Sequence, residues 1–373
     1  MKQANGFEII QTFEAWSPKQ FACMPNDPIG LAIGTLNKPI TKVLVTLDVT
    51  HEVVDEAIQN GCELVIAHHP PIFMKLSNLR TDNPKGALYE KCLKHDIAVY
   101  AAHTNLDVAP GGVNDLLADA LQLVDRKSLE QTYHESLMKL AVFVPATHEE
   151  VMREALAKVG AGKLGDYSSC SFTTAGEGRF RALSGADPFV GEVGELTVAL
   201  EKKIEVVFPS TMKNRVLKTM LTTHPYEEPA YDVMTMDVNV NEQGLGRVGK
   251  LKQPMTLKDF AEFVKVALDV PALRVVGPLD AMVQKVAVVG GDGNKYISKA
   301  KFAGADVFVT GDIGFHMAQD AEMEGLHIVD PGHHVEKVMI AGVAKKMTQL
   351  CEQKKYNVTF MESTIHTEPF KFL

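Results

Sequence analysis

Thirteen histidines occur in the chain, and position sets four of them apart: they come just after runs that read as β-strands. His68 and His69 close "ELVIAHH", His103 follows "IAVYAA", and His333 follows "LHIVDPG". An imidazole nitrogen is a good ligand for borderline divalent metals, and carboxylates complete an N/O donor set suited to zinc, manganese, iron or nickel. Two carboxylates are close by in sequence, Asp107 in "HTNLD" and Glu336 in "GHHVEK". His68, His69, Asp107, His333 and Glu336 are therefore the candidate metal ligands. Two ions bridged by a carboxylate would polarise a substrate oxygen and activate water near neutral pH, which is hydrolytic chemistry.

The local pattern constrains how these groups can meet. Neighbouring residues of a regular strand face opposite ways, so His68 and His69 cannot both serve one ion from a continuing strand. Pro70 and Pro71 end it, and an irregular terminus re-aims one ring, or two adjacent ions take one histidine each. A helical pattern running from 333 to about 353 places His333 and Glu336 on one face, with His334 about 100° around it as an outer or substrate-facing group. His51, His95, His134, His148, His327 and His366 read as structural histidines.

Weaker motifs also occur. "GGDGN" (290–294) reads as a tight turn rather than an anion cradle, since it lacks G-x-G-x-x-G. "TGDIGFH" offers Asp312 or His316 either to a substrate or to a turn and helix cap, and "THPYEEPAYDV" (223–233) reads as a shaped loop. No G-x-S-x-G occurs and no cysteine has a paired base nearby, so nucleophilic serine or cysteine catalysis has no support.

The elements that must carry these residues fall into a repeat. "VLVTLDV", "EVVDEAIQN" and "GCELVIA" read as strand, helix and strand; "VAVV", "KYISKAKFA" and "GADVFVT" give the same order much later. Val43, Ala57 and Gly61 map onto Val286, Ala300 and Gly304 at one constant offset. The third strands follow, the first ending at His103 and the second at His333. Duplicated α/β lobes are expected, with mostly parallel strands, and ligands in such sheets gather beyond the strands' carboxyl ends. Residues from about 138 to about 238 read differently, as β-α-β-β-α-β, the order of a ferredoxin-like α+β domain. Its helices are expected to open at a Thr147-x-x-Glu150 capping box and at Ser210. The expected domains are 1–130, 131–240 as an insertion, and 241–373.

A chain of 373 residues calls for two or three domains. Its start lacks the features of a secretory signal and no apolar run is long enough to span a bilayer, so a cytoplasmic protein without a membrane partner is expected. Five scattered cysteines give neither a disulfide framework nor a cysteine metal site, and a net charge of −9 argues against a nucleic-acid partner.

These motifs together resemble the NIF3-like family, in particular its long bacterial form with an inserted domain, whose bacterial name refers to GTP cyclohydrolysis. The resemblance rests on "NDPIGLAIG", "VLVTLDVT", "LVIAHHPPIF", "AAHTNLDVAPGGVND", "VFVTGDIGFH" and "GHHVEK", which cover both lobes. It implies a dinuclear centre with two divalent ions per chain on His68, His69, Asp107, His333 and Glu336, bridged by Asp107, and a toroidal homohexamer. It likens the insert to the PII and CutA signalling-type fold. One departure concerns Glu336: relatives often place the glutamate four residues after the histidine, whereas here it is three after and residue 337 is lysine. Opening a purine ring would also need a proton donor, a role open to His103 or His334. Hydrolysis of a nucleotide-like or phosphorylated small molecule is the first expectation; the rival is a non-enzymatic metal-binding scaffold or regulator whose insert senses a small molecule or partner.

Overall fold

The computed structural model describes residues 2–373. Stretches such as "KVLVT" and "LVIA" are apolar almost without alternation, the pattern of strands covered on both faces. Lys42–Thr46, Leu64–Ala67 and Ala98–Ala101 pair in parallel. Thr359–Glu362 adds in parallel at one side and Gly30–Ile33 antiparallel at the other, completing a five-stranded sheet. In the second sheet Met282–Asp292, Val307–Gly311 and His327–Asp330 are parallel. Arg274–Val276 lies antiparallel on one side, and the part of Tyr231–Thr256 from residue 247 onward lies antiparallel on the other.

The two sheets repeat the same register. Val43 pairs with Leu64 and Val45 with Ile66; Val286 pairs with Val307 and Val288 with Val309. The connecting helices, His51–Asn60 and Ile297–Phe302, are followed by Gly61 at φ 66° and Gly304 at φ 73°, a left-handed conformation that glycine adopts without a Cβ penalty. Successive strand residues then divide between two cores. Val43, Val45, Leu64 and Ile66 face inward with Val286, Val288, Val307 and Val309, against helices Gly6–Trp16, Val113–Ala120, Leu257–Ala267 and Val338–Gln353. Leu44, Val65 and Val99 face outward onto His51–Asn60 and Pro84–Lys94. Ala287, Val289 and Phe308 do the same in a third cluster with Ile297 and Ala321.

The chain divides into two compact units, one formed by residues up to Tyr133 with Gln243–Leu373 and the other by His134–Glu242. In the second unit, residues 137–145 pair antiparallel with Leu196–Pro209, which pairs antiparallel with Phe172–Arg181. Helices Glu149–Lys158 and Lys213–Thr223 bury Met152, Leu156, Val216 and Met220 against Leu140, Val142, Ile204 and Phe208.

Several local expectations are corrected. The two helices of this unit are each preceded by a 3₁₀ turn, Ala146–His148 and Ser210–Met212, and neither has a side-chain cap. The would-be capping hydroxyl of Thr147 bonds His148 Nδ1 at 2.9 Å. Ser210 lies inside its turn, and the next residue, Thr211, binds the buried Glu135 carboxylate through its amide at 3.0 Å and through its hydroxyl. The third strands stop at Ala101 and Asp330, short of His103 and His333. His333–Lys337 is a 3₁₀ turn, and the α-helix begins only at Val338. In 3₁₀ geometry positions i and i+3 eclipse, so His333 and Glu336 lie on one line along the turn. Among the described residues no helix is long and apolar enough to cross a membrane.

Candidate metal centre

The strand Leu64–Ala67 delivers His68 into the interior, where it is fully buried. Its Nδ1 lies 2.8 Å from the Ala102 carbonyl. A carbonyl only accepts, so the proton sits on Nδ1 and the Nε2 lone pair points the other way. There Nε2 meets Asp107 Oδ1 and Glu336 Oε2, each at 3.7 Å. His69 leaves the strand end in another direction and still reaches the same place. Its Nδ1 donates to Asp48 Oδ1 at 2.6 Å and its Nε2 lies 3.0 Å from Glu336 Oε2.

His103 immediately precedes the short helix Thr104–Val108 that carries Asp107. Its Nδ1 donates to Asp27 Oδ1 at 2.8 Å, and the other Asp27 oxygen accepts from the Thr104 amide at 3.1 Å and hydroxyl at 2.5 Å. His333 repeats the arrangement, with Nδ1 on Asp312 Oδ2 at 2.6 Å and Nε2 3.2 Å from Glu336 Oε2. All four imidazoles thus have Nδ1 held by an acceptor. Such partners fix ring orientation and tautomer and are the usual support of histidine ligands.

Three overlapping groups can each hold a metal ion: His68, His69 and His103; His69, His333 and Glu336; and His68, Asp107 and Glu336. The structure therefore brings together all five candidate ligands and places beside them His103, for which the sequence suggested a proton-transfer role. Two buried atoms, His68 Nε2 and Asp107 Oδ1, have no hydrogen-bond partner among the described residues. Leaving such atoms unpaired is costly, and a cation between them satisfies both.

Charge is concentrated here. Burial would raise Glu336, but His68, His333 and His69 around it hold its carboxyl well below the usual range. Burial would lower His69, but the bonds from Asp48 and Glu336 push it up to about 10. Glu336 raises His333 to about 9 despite burial. Burial would lower His68 as well, and Asp107 with Glu336 outweighs it. Burial, against the pull of His68 and with Glu336 adding to it, pushes Asp107 up to about 6.

Glycines make the room. A Cβ on Gly291, whose φ is 62°, would lie 2.7 Å from Glu336 Oε1 and 3.1 Å from His333 Nε2. Gly311 lets the His333 amide approach to 2.7 Å of where its Cβ would be. The first three residues of "GGDGN" are thus the irregular end of the strand Met282–Asp292 rather than the tight turn expected, and the carboxylate and imidazole rest against it. Asn114 ties the arrangement together, donating to the Asp107 carbonyl at 3.0 Å and accepting from the Gly290 amide at 3.0 Å.

A cavity of about 1010 Å³ adjoins the cluster, lined by Asp48, His69, His333, His334, Arg274 and Lys371 among others. His334 is outside the three groups; its Nε2 is 3.3 Å from Thr367 Oγ1 and its ring 4.6 Å from that of His366. Burial and then His366 lower its pKa, so the imidazole that faces the cavity is held neutral. His366, read as structural, packs against the His334 ring. The orienting acids Asp27 and Asp48 were missed, although "NDPIG" and "TLDVT" contain them, and Asp312 orients His333 instead of reaching outward.

The profile of the Duf34/NIF3 family (NGG1p interacting factor 3) matches residues 4–369. A Bacillus subtilis protein named GTP cyclohydrolase 1 type 2 homolog is 57% identical over 372 residues, covering 100% of both chains. A protein of the same name from Halalkalibacterium halodurans is 53% identical over 373 residues, again with 100% of both covered. Among solved structures, a Bacillus cereus protein related to NIF3 superposes with a TM-score of 0.92 at 53% identity and covers 100% of each chain. A Staphylococcus aureus protein does so with a TM-score of 0.82 at 32% identity, also with 100% of each covered.

Proposed function

Because the chain belongs to the Duf34/NIF3 family, we propose that its imidazole and carboxylate cluster holds two divalent ions and that the protein is a metal-dependent hydrolase of a nucleotide-like or phosphorylated small molecule. One observation carries the reading: His68 Nε2 and Asp107 Oδ1 are buried 3.7 Å apart, with no hydrogen-bond partner among the described residues. His68, His69, Asp107, His333 and Glu336 are the proposed ligands, Asp107 being the bridging group and zinc, manganese, iron or nickel the candidate ions. When bound, such ions act as Lewis acids and lower the pKa of water. The chain's own residues do the rest. Asp48, Asp27 and Asp312 fix the rings, Lys371 offers positive charge to an anionic substrate in the cavity, where Arg274 is already paired with Asp330, and His334 takes a proton there as a neutral base. The names of the relatives suggest GTP, and the cavity is large enough for a small-molecule ligand.

The test begins with metal analysis. The purified chain is expected to carry about two divalent ions, and Asp107→Ala to lose at least one while its circular dichroism stays unchanged. Full occupancy in the variant refutes the ligand set. A screen of nucleotides with and without added metal then separates a hydrolase from a metal-stabilised scaffold. For the His134–Glu242 unit, the strand, helix, strand, strand, helix, strand order supports a ferredoxin-like domain of the PII and CutA type. Family resemblance supports a toroidal homohexamer, which light scattering of the purified chain tests.

A further inference from the structure

Another cavity belongs wholly to the His134–Glu242 unit, remote in sequence from every proposed metal ligand, and measures about 870 Å³. One wall is aromatic. The Tyr226 ring lies 6.1 Å from Phe180 and 6.1 Å from Phe189, with the three planes tilted rather than stacked. Opposite faces of such rings carry negative electrostatic potential, and a cation within about 6 Å of a ring centroid is attracted to them.

The floor is acidic, and local sequence makes it so. Strand residue Glu201 pairs with Gly176 across the sheet, with Gly178 beside it. A Cβ on Gly178 would lie 2.3 Å from Glu201 Oε2, so "AGEGRF" leaves the space into which that carboxylate folds. Glu201 has no ion pair among the described residues. The two lysines that follow it are engaged elsewhere, Lys202 with Glu149 at 3.8 Å and Lys203 with Glu205 at 3.5 Å. The Tyr226 hydroxyl is also buried without a partner at hydrogen-bond distance among the described residues. Burial, and then Glu201, raise it to about 12, so it is a neutral phenol.

The remaining charge points the same way. Glu177, Asp187, Glu201, Glu227 and Glu228 line the cavity against Arg179, Arg181 and Lys203. Arg179 is already bonded to Glu177 at 2.7 Å. An anionic ligand would meet uncompensated carboxylate, whereas a cation would neutralise Glu201 beside the Tyr226 phenol.

We propose that this cavity is a binding site for a small organic cation, an amine or amidinium joined to an apolar or aromatic body. The cationic nitrogen lies against Glu201 and the Tyr226 hydroxyl, and the body lies among Phe180, Phe189 and Tyr226. The site is independent of the metal centre and of its reaction.

Titration of the full-length chain with benzamidine and with phenethylamine, followed by ligand-observed NMR and calorimetry, tests this. Both are expected to bind saturably, with benzoate, the anionic counterpart of benzamidine, failing to bind. Glu201→Gln is expected to weaken benzamidine at least about tenfold. Phe189→Ala removes a half-exposed ring and tests the same site without disturbing a buried group; weaker binding is expected there too. Absence of saturable binding by either amine, equal binding of benzoate, or unchanged affinity in both variants overturns the proposal.

Discussion

Each of the four histidines in the centre turns its Nδ1 to an acceptor, Ala102 O, Asp48, Asp27 or Asp312, and its Nε2 to the middle. That geometry predicts a dependence on residues that touch no ion. Asp48→Asn keeps the size of the side chain but removes the charge that fixes His69, and metal affinity is expected to fall about 10–100-fold with the fold intact, read by metal titration. Protons compete for the same nitrogens. His69 is held up to about 10 and His333 to about 9, above the ~6.5 of a free imidazole. A raised pKa stabilises the fold fully below the unfolded value and loses that contribution as pH climbs through the folded one. The metal-free chain is therefore expected to lose stability from about pH 6.5 to about pH 10, measured by urea unfolding after chelation. Metal affinity should run the other way across this window, because ligation needs neutral imidazole; affinity that is flat in pH contradicts the assignment. The five candidate ligands stood out in the sequence because strand ends and short motifs concentrate them. Asp27, Asp48 and Asp312 were not assigned this role because an orienting acid obeys no fixed spacing from the ring it serves, and only the need of every imidazole for an Nδ1 partner could have found them.

Turns and strand ends convert those residue properties into position. Gly291 rests against both Glu336 and His333, and its φ of 62° disfavours any side chain. Gly291→Ala is expected to displace the Glu336 carboxylate and weaken metal binding by at least about tenfold, with a stability loss of about 1–2 kcal/mol from backbone strain; parallel metal titration and denaturation separate the two effects. Farther from the cluster, Arg247 anchors the helix Val113–Ala120 to the second sheet. It bonds Asp115 through two nitrogens and the Gly244 and Gly246 carbonyls at 2.8 Å each. Arg247 is buried, and beside it Asp115 stays below the usual carboxylate range although burial opposes this. Arg247→Leu leaves that acid without its partner, and a loss of about 3 kcal/mol is expected in denaturant unfolding. Apolar runs and the glycines at 61 and 304 made the strands and connecting helices readable. Helix starts were misread at Thr147, Ser210 and His333, since a 3₁₀ turn uses the same residue types as an α-helical first turn and differs only in which carbonyl each amide reaches.

At the scale of the molecule, the constant offset between the two ends of the chain reappears as identical pairing in the two sheets, so that part of the architecture was written in the sequence. The shared helical layer between the sheets was not, because an apolar strand says that both faces are covered without saying by which partner. One consequence follows from where the proposed ligands come from. His68, His69 and Asp107 belong to the first part of the chain, His333 and Glu336 to the last, and all five converge within a single compact unit. Ions held jointly by both parts bind the native state and not the separated segments, so their binding energy adds to folding stability. At a free-metal level about 100 times the dissociation constant this amounts to about 2.7 kcal/mol per site, or a rise of roughly 5–8 °C in Tm for a unit of this size. Chelation of the wild-type chain should lower Tm by that order, and re-addition of zinc or manganese should restore it. Asp107→Ala should start lower and respond less to both treatments. A wild-type Tm indifferent to chelation, in protein shown to have lost its metal, would mean that the cluster holds its shape through its own imidazole–carboxylate contacts, and the ions would then have no part in joining the two ends of the chain.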